Sequence, residues 1–366
     1  MLNAFLLELM NNELFFDLYA IERMTEFRLK GLLERFRLPE AIFGAEQKDL
    51  MAVPGVDEDL AKAILSYQRS KEIAQRIKQA KNLGVRVISY LDEKFPVNLK
   101  GVAHMPPVLF IRGEIKENDR QAVAVVGTRR PSHYGSQVAE NLGLELAAAG
   151  ITVISGLARG IDTYAHKGAL NGNGRTIAVL GCGIDVCYPP ENRQLCEAIV
   201  RQGAVASEYP LGMEPLAMNF PKRNRIISAL SIAVVAVEAG ERSGVLNTCV
   251  WAKEQGRMIF AAPGRIGDER SIGTNRLIRD GAKILTATSD ILSWLGVKVA
   301  GMPLKEVVLA EEEKPLLELI KNDPVHIDEI CEALGIPMAE LLNLLFQLEV
   351  KGIIKQIPGK FFVRAG

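Results

Sequence analysis

Cysteine is scarce in this chain of 366 residues, and its pattern excludes several classes at once. The five thiols (Cys182, Cys187, Cys196, Cys249 and Cys331) are odd in number and show no CxxC or zinc-type spacing. Neither a disulfide framework nor a zinc module is expected; reduced thiols suit a cytosolic protein, with Cys182 and Cys249 near the core. The four histidines are scattered, none in an HExxH-like frame, so no metal is expected. Long apolar runs are missing too. Stretches such as Ala229–Val237 are far too short to span a bilayer, so no membrane association is expected. Residues 1–16 hold Glu8 and Glu13 and no basic region before an apolar one, which argues against a secretory signal. No GxxxxGK(S/T) occurs, which excludes a P-loop nucleotidase. Net charge is absent as well: 44 Lys and Arg balance 44 Asp and Glu. Composition alone therefore says nothing in favour of a polyanionic partner.

What is present is an alternation of strands and helices. Ala122-Val-Ala-Val-Val126 is an unbroken apolar run, as in a strand buried on both faces of a parallel sheet. A turn at Gly127-Thr-Arg-Arg-Pro131 follows, then helical spacing from Tyr134 to Ala149. The plan recurs at Ile151–Ile154, Thr176–Leu180, Ile232–Val237 and Met258–Ala262, each followed by a loop rich in glycine or polar residues. This predicts an α/β, Rossmann-like, doubly wound and mostly parallel sheet over 83–295, with ligands at the edge where the post-strand loops gather. Val85–Ser89 and Val108–Ile111 read as strands extending that sheet.

The flanks differ in kind. Residues 1–82 read as a small N-terminal helical domain with an internal similarity at an offset of 32 positions, Ile21–Leu33 against Val53–Leu65. The second copy resembles a helix-hairpin-helix, but Asp57, Glu58 and Asp59 would repel phosphate, so a packing module is the favoured reading. Residues 296–313 suit a linker, and 314–366 read as three helices and a two-stranded wing, a C-terminal winged helix. Its third helix, from Pro337 to Val350, has no Lys or Arg, which disfavours base reading and favours a protein-docking or autoregulatory role. Charge sums to −1 over 1–82, +4 over 83–295 and −3 over 296–366, so the central sheet is where a polyanion would be drawn.

The central loops carry the chemistry. Gly127, Thr128, Arg129 and Arg130 put a glycine turn, a hydroxyl and two guanidiniums at a helix mouth, where backbone N–H groups favour anions. The second loop supplies Ser155, Gly156 and Arg159, and the third Gly181, Gly183 and Asn192. Phe220-Pro-Lys-Arg-Asn-Arg225 then sets an aromatic beside Lys222, Arg223, Asn224 and Arg225, the pairing that single-stranded nucleic acid uses for stacking and phosphate contact. Gly181-Cys-Gly183 lacks the third glycine and acidic partner of a dinucleotide fingerprint, and no cofactor is expected. Asp162, Glu208 and Glu238 follow strands, where the two glutamates are read as orienting nearby arginines rather than doing chemistry.

Val125–Arg130, Ser155–Asp162, Val179–Asp185, Tyr188-Pro189, Phe220–Ser228 and Glu238–Gly244 together resemble the DNA-processing protein A family (DprA, also called Smf). The resemblance implies a cytoplasmic bacterial protein that binds single-stranded DNA as a homodimer. It would load the RecA recombinase past single-strand binding protein in natural transformation, without enzymatic activity. It places Gly127, Thr128, Arg129, Phe220, Arg223, Asn224 and Arg225 in the DNA groove, and dimerisation and recombinase docking around Met258–Leu285. Pro190 stands where relatives often carry a basic residue. The alternative is a nucleotide phosphoribohydrolase of the lonely-guy type on the same sheet. Those enzymes place a catalytic Glu after a glycine loop, whereas Ser243–Thr248 leads here into Cys249-Val-Trp251.

Overall fold

A computed structural model describes residues 13–297, 311–321, 323–350 and 353–364; most of the 296–313 linker lies outside the described residues. Nine strands form the central sheet: β1 (Arg86–Ser89), β2 (Val108–Gly113), β3 (Ala122–Val126), β4 (Thr152–Ser155), β5 (Thr176–Val179), β6 (Ala204–Ser207), β7 (Ala233–Ala236), β8 (Met258–Ala261) and β9 (Lys283–Ile284). Their order across the sheet is β1-β2-β6-β5-β4-β3-β7-β8-β9. From β6 to β9 all neighbours pair parallel, while β2 runs antiparallel to β6 and β1 to β2. The Rossmann-like, doubly wound, mostly parallel sheet expected from the sequence is therefore the fold. Two strands were not read from the sequence. Ala204–Ser207 is a short Ala/Val/Ser run directly after a helix, and β9 has only two residues.

Alternation along β3 explains the layering. Ala122, Ala124 and Val126 face the helices Asn219–Leu230 and Gly244–Glu254. Val123 and Val125 face His133–Ala148 and Ile161–Asn171. The winding reverses at β3: β4, β5 and β6 extend to one side, β7, β8 and β9 to the other. A crevice must open there, because the helices leaving β3 and β7 cover opposite faces.

The 32-residue repeat proves to be a repeat of helix starts. Thr25 caps the helix Glu26–Phe36 by accepting from Arg28 N–H, and Asp57, 32 positions on, caps Glu58–Leu65 by accepting from Leu60 N–H at 3.0 Å. An acid at 57 is thus what a helix N-cap favours, which explains its presence in place of a glycine. The helices of this segment share one apolar cluster with the sheet: Phe16, Leu18, Leu29 and Leu33 join Phe110, Leu180, Cys182 and Val205. Phe16 and Phe110 rings lie 5.3 Å apart.

Near the C-terminus, helices Lys314–Leu319, Ile327–Leu334 and Met338–Val350 pack on a three-stranded sheet, Val325–His326 (β10) joining the expected wing of Ile354–Ile357 (β11) and Phe361–Arg364 (β12). The winged helix touches the central sheet domain where Gln137 Nε2 donates to Arg364 O at 2.6 Å and Arg265 pairs with Asp323 at 2.8 Å. Among the described residues, no helix is long and apolar enough to cross a membrane and no His/Cys/Asp/Glu cluster could hold a metal.

Candidate functional site

The crevice at the switch point is a cleft of about 640 Å3. Its walls are Gly127, Thr128, Arg129 and Arg130 after β3, Phe220, Arg223, Asn224 and Ile227 from the 219–230 helix, and Ser243, Gly244 and Thr248 from the helix after β7. The four helix residues recur at i, i+3, i+4 and i+7, which is one face of a helix. Three cations and one buried carboxylate, Asp162, give the cleft a positive balance. A second cleft of about 730 Å3 lies elsewhere, between 93–98 and 114–120. There Arg86, Lys94, Lys116 and Arg120 are matched by Glu93, Glu114, Glu117 and Asp119, so it has no preference for anions.

Phe220 is the centre of the mouth. Its ring lies 5.5 Å from that of Tyr188, with the Arg129 guanidinium 5.4 Å and the Arg223 guanidinium 5.9 Å from its centroid. Arg129, Gly156, Arg159, Tyr188 and Phe220 line a shallow extension beside it. Arg129 and Arg130 are exposed; Arg159 is exposed as well and pairs with Glu191. Lys222 is exposed but lines neither cavity.

The loops are held by buried polar contacts. Thr128 N–H donates to Glu238 O at 2.8 Å, and Ile161 N–H to Thr128 O at 3.2 Å, so the β3 loop bridges its two neighbours. Gly160 has φ +77°, and a side chain there would put Cβ 2.4 Å from Thr128 O, so only glycine allows this approach. Asp162 accepts from Gly156 N–H at 3.0 Å and Ala158 N–H at 3.3 Å. Burial raises its carboxyl above the ordinary range, against the pull of Arg223 and these donors. Arg223 is buried; its Nη1 donates to Gly156 O at 2.8 Å and to Val179 O, tying the second loop to the end of β5. Burial lowers its pKa from the usual guanidinium value.

Two more expected site residues, besides Lys222, do not reach the cleft, because they are buried beneath it. Ser155 is buried and donates from Oγ to Val125 O at 2.7 Å, which joins β4 to β3. Arg225 is buried off the 220/223/224/227 face, where Nη1 and Nη2 both meet the Glu208 carboxylate and Nη2 also meets Glu26 at 3.2 Å. The expected pairing of Glu208 with an arginine is therefore present. Glu238 instead accepts from Ser132 N–H at 2.9 Å and Ser132 Oγ at 2.5 Å, not from an arginine. Conversely, Tyr188, Ser243, Gly244 and Thr248 line the site without having been singled out for it. Helical periodicity in 220–227 is the sequence signal that separates Arg225 from Phe220 and Asn224.

An open α/β sheet with a crevice at its switch point makes this a Rossmann-like protein, and the crevice's excess of cations beside a half-buried aromatic is chemistry that suits an anionic, ring-bearing ligand. Residues 86–296 match the model of DNA recombination-mediator protein A, and 302–360 that of the DprA winged helix domain. The chain is 31% identical to Protein Smf of Synechocystis over 92% of its own length and 94% of that protein, and 38% identical to Protein Smf of Escherichia coli over 82% and 83%. The solved DNA processing protein A of Streptococcus pneumoniae superposes with a TM-score of 0.68 at 33% identity, covering 77% of this chain and 97% of that one. That of Helicobacter pylori, described for its single-stranded DNA binding mode, superposes at 0.53 with 30% identity over 58% and 95%. The chain belongs to the DNA recombination-mediator protein A family, DprA/Smf, which acts in DNA processing during recombination.

Proposed function

We propose that this chain binds single-stranded DNA in the switch-point cleft and passes it to the RecA recombinase. It does so without enzymatic turnover, as a cytoplasmic homodimer working against single-strand binding protein, natural transformation included. The observation that carries this reading is the Phe220 mouth, an aromatic ring flanked by Arg129 and Tyr188 over a cleft with excess positive charge. A base stacks on the ring while the cations meet phosphates. The Helicobacter pylori relative, a similar fold whose structure is described for its single-stranded DNA binding mode, supports the ligand class. In this reading Gly127, Thr128, Arg129, Arg130, Gly156, Arg159, Phe220, Lys222, Arg223 and Asn224 form the DNA surface. Ser155 and Arg225 position it from beneath.

The phosphoribohydrolase alternative loses support from Glu238, whose two carboxylate oxygens are both engaged by Ser132. Fluorescence anisotropy with single- and double-stranded oligonucleotides, beside assays for base release from nucleoside monophosphates, tests the choice. Preference for single strands with no released base is expected. Release of base that disappears in Glu238→Gln would favour the enzyme. For the hand-over, RecA filament growth on DNA coated with single-strand binding protein should accelerate when this protein is added.

A further inference from the structure

Three of the five thiols, Cys182, Cys187 and Cys196, belong to one apolar cluster, and two of them form a pair. Cys182 is not one of that pair: its Sγ donates to Val186 O at 3.1 Å, and burial pushes it up to about 12. Cys249, buried in the 244–254 helix, is likewise pushed up to about 12. Such thiols are inert at neutral pH. Cys187 differs. It is half-buried, directly precedes Tyr188, and its side chain is hydrogen-bonded to that of the buried Cys196.

The surroundings of the pair are cationic. Arg112 is only 9% exposed; its two terminal nitrogens hold the Glu197 carboxylate at 3.0 and 2.9 Å, while its Nε has no hydrogen-bond partner among the described residues. Arg193 opens the helix 193–202, on which Cys196 sits in the first turns. The Cys196 thiol, then Arg193 and Arg112, hold Cys187 below the usual thiol range against burial and Glu197. The bond to Cys187 and burial push Cys196 up. Cys187 is thus the anionic partner and Cys196 the protonated one. Among the described residues no third ligand makes this a metal site. A reachable, low-lying thiol beside a second thiol is the arrangement that peroxides oxidise.

We propose that Cys187 and Cys196 are an oxidation site that takes hydrogen peroxide and closes to a disulfide. The Cys187 thiolate attacks one peroxide oxygen; an S–O bond forms, the O–O bond breaks, and the departing hydroxide takes a proton to become water. Cys196 then attacks the sulfenic sulfur of Cys187. The S–S bond forms, the S–O bond breaks, and the hydroxyl leaves as water with the Cys196 proton. Two thiols and one peroxide give one disulfide and two waters. The segment 188–195 between the thiols bears Tyr188, 5.5 Å from the Phe220 ring, and Glu191, which pairs with Arg159. It also bears Asn192, whose Nδ2 donates to Leu157 O at 2.9 Å and Thr163 Oγ1 at 2.8 Å. The bridge therefore closes a loop that forms one wall of the mouth. The chemistry goes beyond the DNA reading and stands whether or not the cleft takes DNA.

The test treats reduced full-length protein with equimolar hydrogen peroxide, blocks remaining thiols with iodoacetamide in denaturant, and maps the digest by mass spectrometry. A 187–196 disulfide that dithiothreitol reverses is expected, with Cys182, Cys249 and Cys331 alkylated. In Cys196→Ser oxidation should stop at a Cys187 sulfenic acid that dimedone captures, and in Cys187→Ser Cys196 should stay reduced. The mapping on the parent protein needs neither variant, so a variant that fails to fold leaves the test intact. First oxidation at any other cysteine, a bridge between a different pair or between two chains, or five thiols still reduced after peroxide would each overturn it.

Discussion

Arg129 and Arg225 look alike in sequence, each an arginine beside polar residues, and the structure gives them opposite work. Arg129 is exposed over the Phe220 ring, while Arg225 is buried against two carboxylates. Removing Arg225 leaves the inaccessible Glu208 carboxylate uncompensated, a loss of about 3–5 kcal/mol for a broken buried pair. Arg225→Ala is therefore expected to lower the urea midpoint strongly. A midpoint within experimental error of the parent protein would contradict the buried assignment. Phe220→Ala should instead cost about 1–3 kcal/mol of DNA affinity through lost stacking, leaving its salt dependence unchanged. Gly127, Thr128, Arg129, Arg130, Phe220, Arg223 and Asn224 were legible because glycine, cation and aromatic marked the loops. Arg225 was misplaced because residue type was weighed without the helical face.

At the scale of elements, the tie between the 26–36 and 219–230 helices has an electrostatic excess, two carboxylates to one guanidinium. Burial and the neighbouring Glu208 raise the Glu26 carboxyl to about 7 from an ordinary 4.5. A carboxyl raised on folding contributes its stability fully below the unfolded value and loses it as pH climbs through the folded one. Melting temperatures of Glu26→Gln and the parent should therefore coincide near pH 4.5. They should separate in favour of Glu26→Gln up to about pH 8; a difference independent of pH would contradict the coupling. A second element is the helix start at 132–135, where Ser132 Oγ accepts from Gly135 N–H at 2.9 Å under the Glu238 carboxylate. A Cβ at 135 would sit 2.5 Å from that carboxylate. Gly135→Ala should lower thermal stability and loosen the Thr128 loop together, which amide hydrogen exchange at Thr128 and Ser132 would register. The Thr25 and Asp57 caps explain the repeat, but the sequence offered no means to tell an N-cap acid from a missing phosphate-loop glycine.

For the whole molecule, the doubly wound sheet was legible because β3, β4, β5, β7 and β8 are apolar runs each closed by a loop. β6 and β9 were not, since one is a short alanine-rich strand and the other only two residues long. Equally hidden was the single apolar cluster joining the N-terminal helices to β2, β5 and β6, because sequence periodicity shows that a face is apolar but not what covers it. Cutting the chain at 82 would strip Phe110 of Phe16, so point variants probe the cleft more cleanly than truncations. The central claim is that exposed cations at the Phe220 mouth neutralise DNA phosphates. The most direct test is the salt dependence of single-stranded oligonucleotide affinity for the parent protein and Arg129→Ala. Each phosphate neutralised on a single strand contributes roughly −0.7 to the log–log slope. The account predicts weaker binding and a slope shallower by about that amount in Arg129→Ala, alike for every oligonucleotide sequence, at unchanged melting temperature. A folded Arg129→Ala protein with the parent slope would contradict it.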